Sequence, residues 1–431
     1  MKRRLVTILP ALALALSSLL PPAEALATQP LSAFLRQAET SNLDAREGRA
    51  IAEQSEAEAE AAFGRLLPSF TARGTYTRNQ EEAAITLPGS GQEIVITPRD
   101  QFDAALRAEV LLLDLGSYHR YRAGQARAAS SSERTAVTKK SVARAVAQAY
   151  YEFIAASALV GSARQSLTVS ESNYEFVSTR HGAGVATALD LESARANVER
   201  ARRDVSDAEL SVALAGRRLS TLSGLAPTPA DGLPEDDLRA EAPLNAFMKG
   251  LDTSPEVRAS RAGLEAAAQE RKAANSALVP TVTASAEERF TNAAGFSGKN
   301  AYYVLQLNAT WRLDYPLFAT RDAREAGERV EQVRMDRARQ TLADEIYAAH
   351  ERVGAGIVKS RATRAQAEAA RRTAELVSDR YQAGAATQLD VTQAQRDAFL
   401  ADVSRIQADA ELAFARASLR VAADLPLQEQ K

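Results

Sequence analysis

Tyr174-EFVSTRHGAGVATALD-Leu191 and Ala374-ELVSDRYQAGAATQLD-Val391 are one segment written twice: ten of 18 positions are identical at a constant offset of 200 residues. Leu112-Leu113-Asp114 answers Arg312-Leu313-Asp314 at the same offset. Further upstream, Leu66-LPSFTARGT-Tyr76 answers Leu278-VPTVTASAE-Glu288, but Pro68 and Pro280 are 212 residues apart. The first copy therefore carries 12 extra residues between Pro68 and Asp114, in a longer loop. Self-similarity at a fixed period implies two structural units of one kind.

Each copy runs in the same order. A helix comes first, 42–67 in copy one and 254–279 in copy two. Ser254-Pro255-Glu256 gives the second a capping residue followed by proline at the first helical position. Two alternating segments follow, at 69–78 and 101–112 in copy one, and at 281–288 and 301–313 in copy two. Tyr303, Leu305, Leu307, Ala309, Trp311 and Leu313 share one face of the last segment, while Tyr302, Gln306, Asn308, Thr310 and Arg312 share the other. Phe102, Ala104, Leu106, Ala108, Val110 and Leu112 repeat that period.

A very long helical hairpin closes each copy. Val142, Val146, Ala149, Phe153, Ala156, Val160, Ala163, Leu167, Ser170, Tyr174 and Val177 alternate spacings of four and three. Leu191, Ala194, Val198, Ala201, Val205, Ala208, Val212, Ala215, Leu219 and Leu222 do the same on the return. This is a coiled-coil seam, and its many alanines let backbones approach closely. Copy two keeps the register from Leu342 to Val377, with weaker residues such as Gly356 and Arg405. From Asp114 to Arg180, 67 residues would reach about 100 Å as helix, longer than any compact core needs.

Composition excludes much. With 431 residues, no cysteine, three histidines and three methionines, the chain has no disulfide framework, no thiol nucleophile and little to hold a metal. A formal net charge of −2 without a basic run argues against nucleic acid. His119, His181 and His350 are scattered, and Gly182-Ala183-Gly184 lacks the third glycine of a dinucleotide site. No cofactor, metal or catalytic residue is expected, and no enzyme activity.

Residues 1–25 read as a secretory signal: Lys2, Arg3 and Arg4, an apolar run from Leu5 to Leu20 broken by Pro10, then Ala23-Glu24-Ala25 or Ala25-Leu26-Ala27 as the small-x-small cleavage site. The run falls short of the roughly 20 residues of a spanning helix. Residues 26–225 form the first repeat and 254–425 the second. The Pro- and Asp-rich 226–253 is the linker, with a short helix around Leu244 to Leu251, and 426–431 is a tail. An exported chain without a spanning helix can enter a membrane only with strands. Four strands cannot close a barrel, since the smallest have about eight, so several chains would share one. Gln306, Asn308, Thr310 and Arg312 would then line water, while Leu305, Leu307 and Trp311 meet lipid.

Duplicated helix, strand pair and long hairpin, with Arg380-Tyr381-x-Ala383-Gly384-x-x-Thr387-x-Leu389-Asp390-Val391-x-x-Ala394-Gln395 at the second tip, resembles the TolC-type outer membrane factors over essentially the whole mature chain. That resemblance implies a mainly α fold with transmembrane β structure. In it a homotrimer shares a 12-stranded outer-membrane barrel, continuous with a periplasmic coiled-coil tube. It implies a passive exit duct for small molecules, docked to a periplasmic adaptor and an inner-membrane transporter. One-step (type I) protein secretion is the alternative.

The tips themselves also have a physical reading. Gly184 and Gly384 supply the left-handed residue that ends a helix, and Thr187-x-x-Asp190 and Thr387-x-x-Asp390 start the next in the manner of a capping box. Glu or Gln is usual at that last position, so aspartate departs from the pattern. Asp190 and Asp390 are then turn residues, or carboxylates of a periplasmic entrance that attract cations. By the resemblance Tyr381 joins the closing contacts there. The arginine that some members carry two residues after the tip glycine is Ala386 here, and a further acidic position is Gln393. Fewer salt links would hold this gate. The rival from another class is an exported coiled-coil rod or adaptor, which explains the heptads but not two paired alternating segments between helices.

Overall fold

The computed structural model describes residues 29–91, 93–228 and 235–427. The signal reading at 1–25 lies outside them, as do parts of the linker and tail. In chain order, copy one contains α1 (Leu31–Ser41), α2 (Leu43–Gly64), β1 (Ser69–Arg78), β2 (Ala83–Thr86), β3 (Glu93–Thr97), β4 (Asp100–Leu113), α3 (Leu115–Gly182) and α4 (Ala188–Ser223). Then come α5 (Leu244–Met248), α6 (Pro255–Ser276), β5 (Thr281–Thr291), β6 (Ala301–Thr310), α7 (Tyr315–Gln382) and α8 (Gln388–Ala422).

Helices α3 and α7 are 68 residues each, about 100 Å of unbroken helix. Both start on an aspartate: Asp114 Oδ1 accepts from the Ser117 amide at 2.9 Å and Asp314 Oδ1 from the Leu317 amide at 3.3 Å. Their heptads bury as the sequence predicts. Val142, Val146, Ala149, Phe153, Ala156, Ala163, Ser170 and Val177 are buried along α3, and Ala194, Val198, Ala201, Ala208 and Leu219 along α4. In copy two, Leu342, Ile346, Ala349, Val353 and Ile357 of α7 pack with Leu412 and Leu419 of α8. Gly356 sits at a close-packed point of the seam: a Cβ there would lie 3.2 Å from Leu412 Cδ1, which would have to give way.

α1 closes the upper end of the first hairpin: Phe34, 1% exposed, packs into a core with Val146, Tyr150, Ile154 and Leu219. Asn42 caps α2 through its Oδ1, and its Nδ2 donates to the Leu222 carbonyl at 2.9 Å. The linker is pinned by Arg416 of α8. Its guanidinium contacts Asp236 at 2.7 Å, Glu241 at 2.5 Å and the Arg239 carbonyl at 2.7 Å.

At the opposite end from the tips, β1, β4, β5 and β6 form one antiparallel sheet in the order β1-β4-β5-β6. The segment 79–99, read from sequence as a plain loop, contains its own hairpin, β2 on β3. Its Ile85 and Val95 are β-branched, which favours pairing. β6 ends at Thr310, earlier than the alternation suggests, because Asp314 already caps α7.

Candidate functional site

Register decides which side chains share a face. Ala72 pairs with Leu106, Leu106 with Glu288, and Glu288 with Tyr303; Ala108 pairs with Ala286 and Ala286 with Leu305. Phe70, Tyr76, Phe102, Leu106, Tyr303, Leu305 and Leu307 thus lie on one face, and each is more than half exposed. That is a broad apolar surface with Glu288 as its charged interruption. Water does not favour such a surface, whereas hydrocarbon does.

The other face is polar. Gln306 lies opposite Ser285, Asn308 opposite Thr283, and Thr310 opposite Thr281, so these three share the polar face. Arg312 lies beyond the end of β6 and pairs with Asp314 at 2.7 Å. Charges that the sequence reading did not single out also occupy this face. Arg107 meets Glu109 at 2.7 Å and Glu287 at 3.7 Å, and Arg289 meets Glu287. Extending the period-two reading to β5 would have found Glu287 and Arg289.

Both sheet edges, β1 and β6, lack a strand partner among the described residues. Each presents a row of backbone donors and acceptors, the most reactive feature of any sheet. In a membrane such groups must be paired.

The hairpin tips lie at the far ends of α3 and α7. At each, a Schellman turn ends the descending helix. Val185 N–H donates to the Arg180 carbonyl at 2.9 Å, and Ala385 N–H to the Arg380 carbonyl at 2.7 Å. Gly184 and Gly384 take φ of +72° and +76°, the conformation that favours glycine. Full capping boxes then start α4 and α8. Asp190 Oδ2 accepts from the Thr187 amide at 3.0 Å and from its hydroxyl at 2.7 Å; Asp390 does so from Thr387 at 2.8 and 2.7 Å. Aspartate therefore completes the box despite its shorter reach. The hydrogen bonds from Thr387, aided by the charge of Arg380, hold the Asp390 carboxyl below its usual range.

Tyr381 is 8% exposed. It packs with Val177, Ala194 and Val391, so it joins the two hairpins of one chain. Burial, with the charge of Asp190, raises its phenol pKa, so the phenol stays protonated. Among the described residues, no cluster suited to a metal ion exists.

Two unusually long hairpins carrying a membrane-suited sheet at one end define a class: a subunit of a helical tube that ends in a shared barrel. Solved structures agree on the fold. A membrane protein from Pseudomonas aeruginosa superposes with a TM-score of 0.79 at 21% identity, covering 93% of this chain and 98% of that one. The Campylobacter jejuni CmeC outer membrane channel does so with a TM-score of 0.78 at 17% identity, covering 92% and 86%. The sequence profile of the outer membrane efflux protein family matches residues 34–225 and 249–423, and the chain belongs to that family. By that membership it is a protein of the outer membrane.

Two relatives are more specific. The toluene efflux pump outer membrane protein TtgC of Pseudomonas putida is 28% identical over 59% of this chain, and the match spans about half of TtgC, 52%. The pyoverdine export outer membrane protein OpmQ of Pseudomonas aeruginosa is 27% identical over 88% of this chain and 81% of its own length.

Proposed function

We propose that three copies of this chain form the exit duct of a tripartite efflux system, a passive conduit without chemistry of its own. The observation that carries this reading is the four-stranded sheet with two open edges and an apolar outer face. Three such sheets, β1 of one copy against β6 of the next, close twelve strands into a barrel about 24 Å across at ordinary strand spacing and tilt. The lumen then carries Gln306, Asn308 and Thr310 with the Arg107–Glu287 network. Repeats 26–225 and 254–425 supply equivalent hairpins to the tube, joined by 226–253. Arg312, at the base of the sheet, faces the passage from barrel to tube.

Tyr381, Asp390 and Asp190 lie at the periplasmic entrance, where a periplasmic adaptor and an inner-membrane transporter would dock. Small molecules are the favoured cargo. TtgC is named for toluene and OpmQ for pyoverdine, neither of them a protein. Type I protein secretion is the second reading, supported by the same tube.

Native mass spectrometry of the detergent-extracted protein tests the assembly. Three copies per particle are expected, and a particle of one or two copies refutes a shared barrel.

A further inference from the structure

The polar face of the sheet carries one row of arginines with no acid in it. Arg73 of β1 pairs with Ala105 of β4, Ala105 with Arg289 of β5, and Arg289 with Tyr302 of β6. Paired residues point to one side of a sheet, and neighbouring strands lie about 4.8 Å apart. The two arginines therefore stand about 10 Å from each other at the backbone, with only the Ala105 methyl between them. The result is a notch with an apolar floor and a guanidinium on each wall. The next row toward the helices, Thr71, Arg107, Glu287 and Val304, is balanced in charge.

The acids nearby are already engaged. Glu287 is held by Arg107 at 3.7 Å and by Arg289, and Glu109 by Arg107 at 2.7 Å. The Asp103 carboxylate, one row toward the loops, accepts from the Gln101 amide at 2.7 Å. Arg73 acts on Glu287 only at longer range; it is exposed and makes no ion pair among the described residues. Its strand is an open edge, and β6, which would close on it from the next copy, brings no charge on its polar face: Tyr302, Val304, Gln306, Asn308 and Thr310. Assembly thus supplies no acid to Arg73. Arg289 meets Glu287 through Nε, yet its side chain is 54% exposed against 16% for the carboxylate. A solute in the bore meets guanidinium before it meets acid.

We propose that the Arg73–Ala105–Arg289 notch is an oxyanion site that takes the carboxylate or phosphate groups of anionic cargo. This rests on the duct reading above and names a substrate class for it. Planar guanidinium forks suit an oxyanion, since each can donate two parallel hydrogen bonds, and a bound anion relieves the like charge of the two walls. Two arginines from each of three copies would form a single-sign ring at one level of the bore, the kind of ring that selects permeant ions.

Calorimetric titration of inorganic pyrophosphate into the detergent-extracted protein tests the site. Wild type should bind one pyrophosphate per chain. Arg73→Gln should weaken binding about tenfold, the share of one charge-assisted contact. Ala105→Leu keeps both charges but fills the floor of the notch, and it should weaken binding comparably. Arg73→Lys, which keeps the charge and loses the fork, should fall between wild type and Arg73→Gln. Arg107→Gln removes an equal charge one row away and should stay within about threefold of wild type. Citrate in the same titration separates a carboxylate cargo from a phosphate one: binding of each supports the notch, and the tighter anion names the group. Equal binding by wild type, Arg73→Gln and Ala105→Leu overturns the site. So does a loss in Arg107→Gln as large as in Arg73→Gln, or a wild type that binds neither anion. The notch lies within one chain, so these results stand apart from assembly. Wild-type particles of a single copy in native mass spectrometry overturn the duct instead.

Discussion

Replacing Arg416 with methionine should release the linker from α8 without unfolding the tube. The side chain of Arg416 is 14% exposed, and those of its partners Asp236 and Glu241 are 5% and 13% exposed. Three hydrogen bonds to Asp236 and Glu241 and one to the Arg239 carbonyl satisfy the guanidinium. Methionine keeps most of the volume but removes the cation that Asp236 and Glu241 share. Breaking a buried ion pair by removing one partner costs about 3–5 kcal/mol. Taking the lower figure, local opening of residues 235–243 should become about 150-fold more frequent, at about 1.4 kcal/mol per tenfold.

Hydrogen exchange reads this directly. The Leu238 and Arg239 amides donate to Asp236 and Asp237 at 2.7 and 3.0 Å and report the opening. Lys359→Ala is the control: its pair with Glu411 is more than half exposed on both sides and contributes under about 1 kcal/mol. A change of less than threefold in the Arg416→Met linker would refute the claim that this cluster holds it.

Other substitutions probe the tips and the sheet. Gly384→Ala meets no atom within 4 Å, so its cost is backbone strain alone, about 1 kcal/mol, seen as faster amide exchange confined to the second tip. Asp390→Asn should speed exchange in the first turn of α8 at pH 7. Because the folded pKa is lowered, the wild-type cap is intact above the ordinary carboxylate range and lost as pH falls through that lowered value; the two proteins should therefore converge in acid. Leu307→Arg, on the face proposed to meet lipid, should cost about 2–4 kcal/mol near the bilayer midplane, measured as folding into vesicles, whereas Asn308→Arg, on the face proposed to line the lumen, should cost far less. Equal losses would invalidate the face assignment.

Sequence made the periodic parts of this molecule legible. The alternation of four and three along α3 and α4 depends on local spacing alone, and every predicted seam residue there is buried or half-buried. The tip turns were equally readable, because a positive φ demands glycine at Gly184 and Gly384. Buried charge was not readable. Asp402 and Asp409 look like ordinary solvated helix residues in the chain. Yet burial pushes the Asp402 carboxyl up, and the Ser162 hydroxyl, Arg405 and Arg371 outweigh it, holding that pKa down. Those partners come from three different helices, so no window of sequence shows them together. Arg416 escaped for the same reason, with Asp236 lying 180 residues away. Tyr381 was singled out for a closing contact, but its packing against Phe176 and Arg180 needs the two hairpins side by side.

The central claim is that this chain builds a passive duct, and electrical conductance in a planar lipid bilayer tests it most directly. Purified trimers should produce stable unitary steps, with a polar bore carrying ions in both directions. Protein that stays soluble without detergent and never raises bilayer conductance, in wild type or variant, would contradict the account and leave an exported coiled-coil rod.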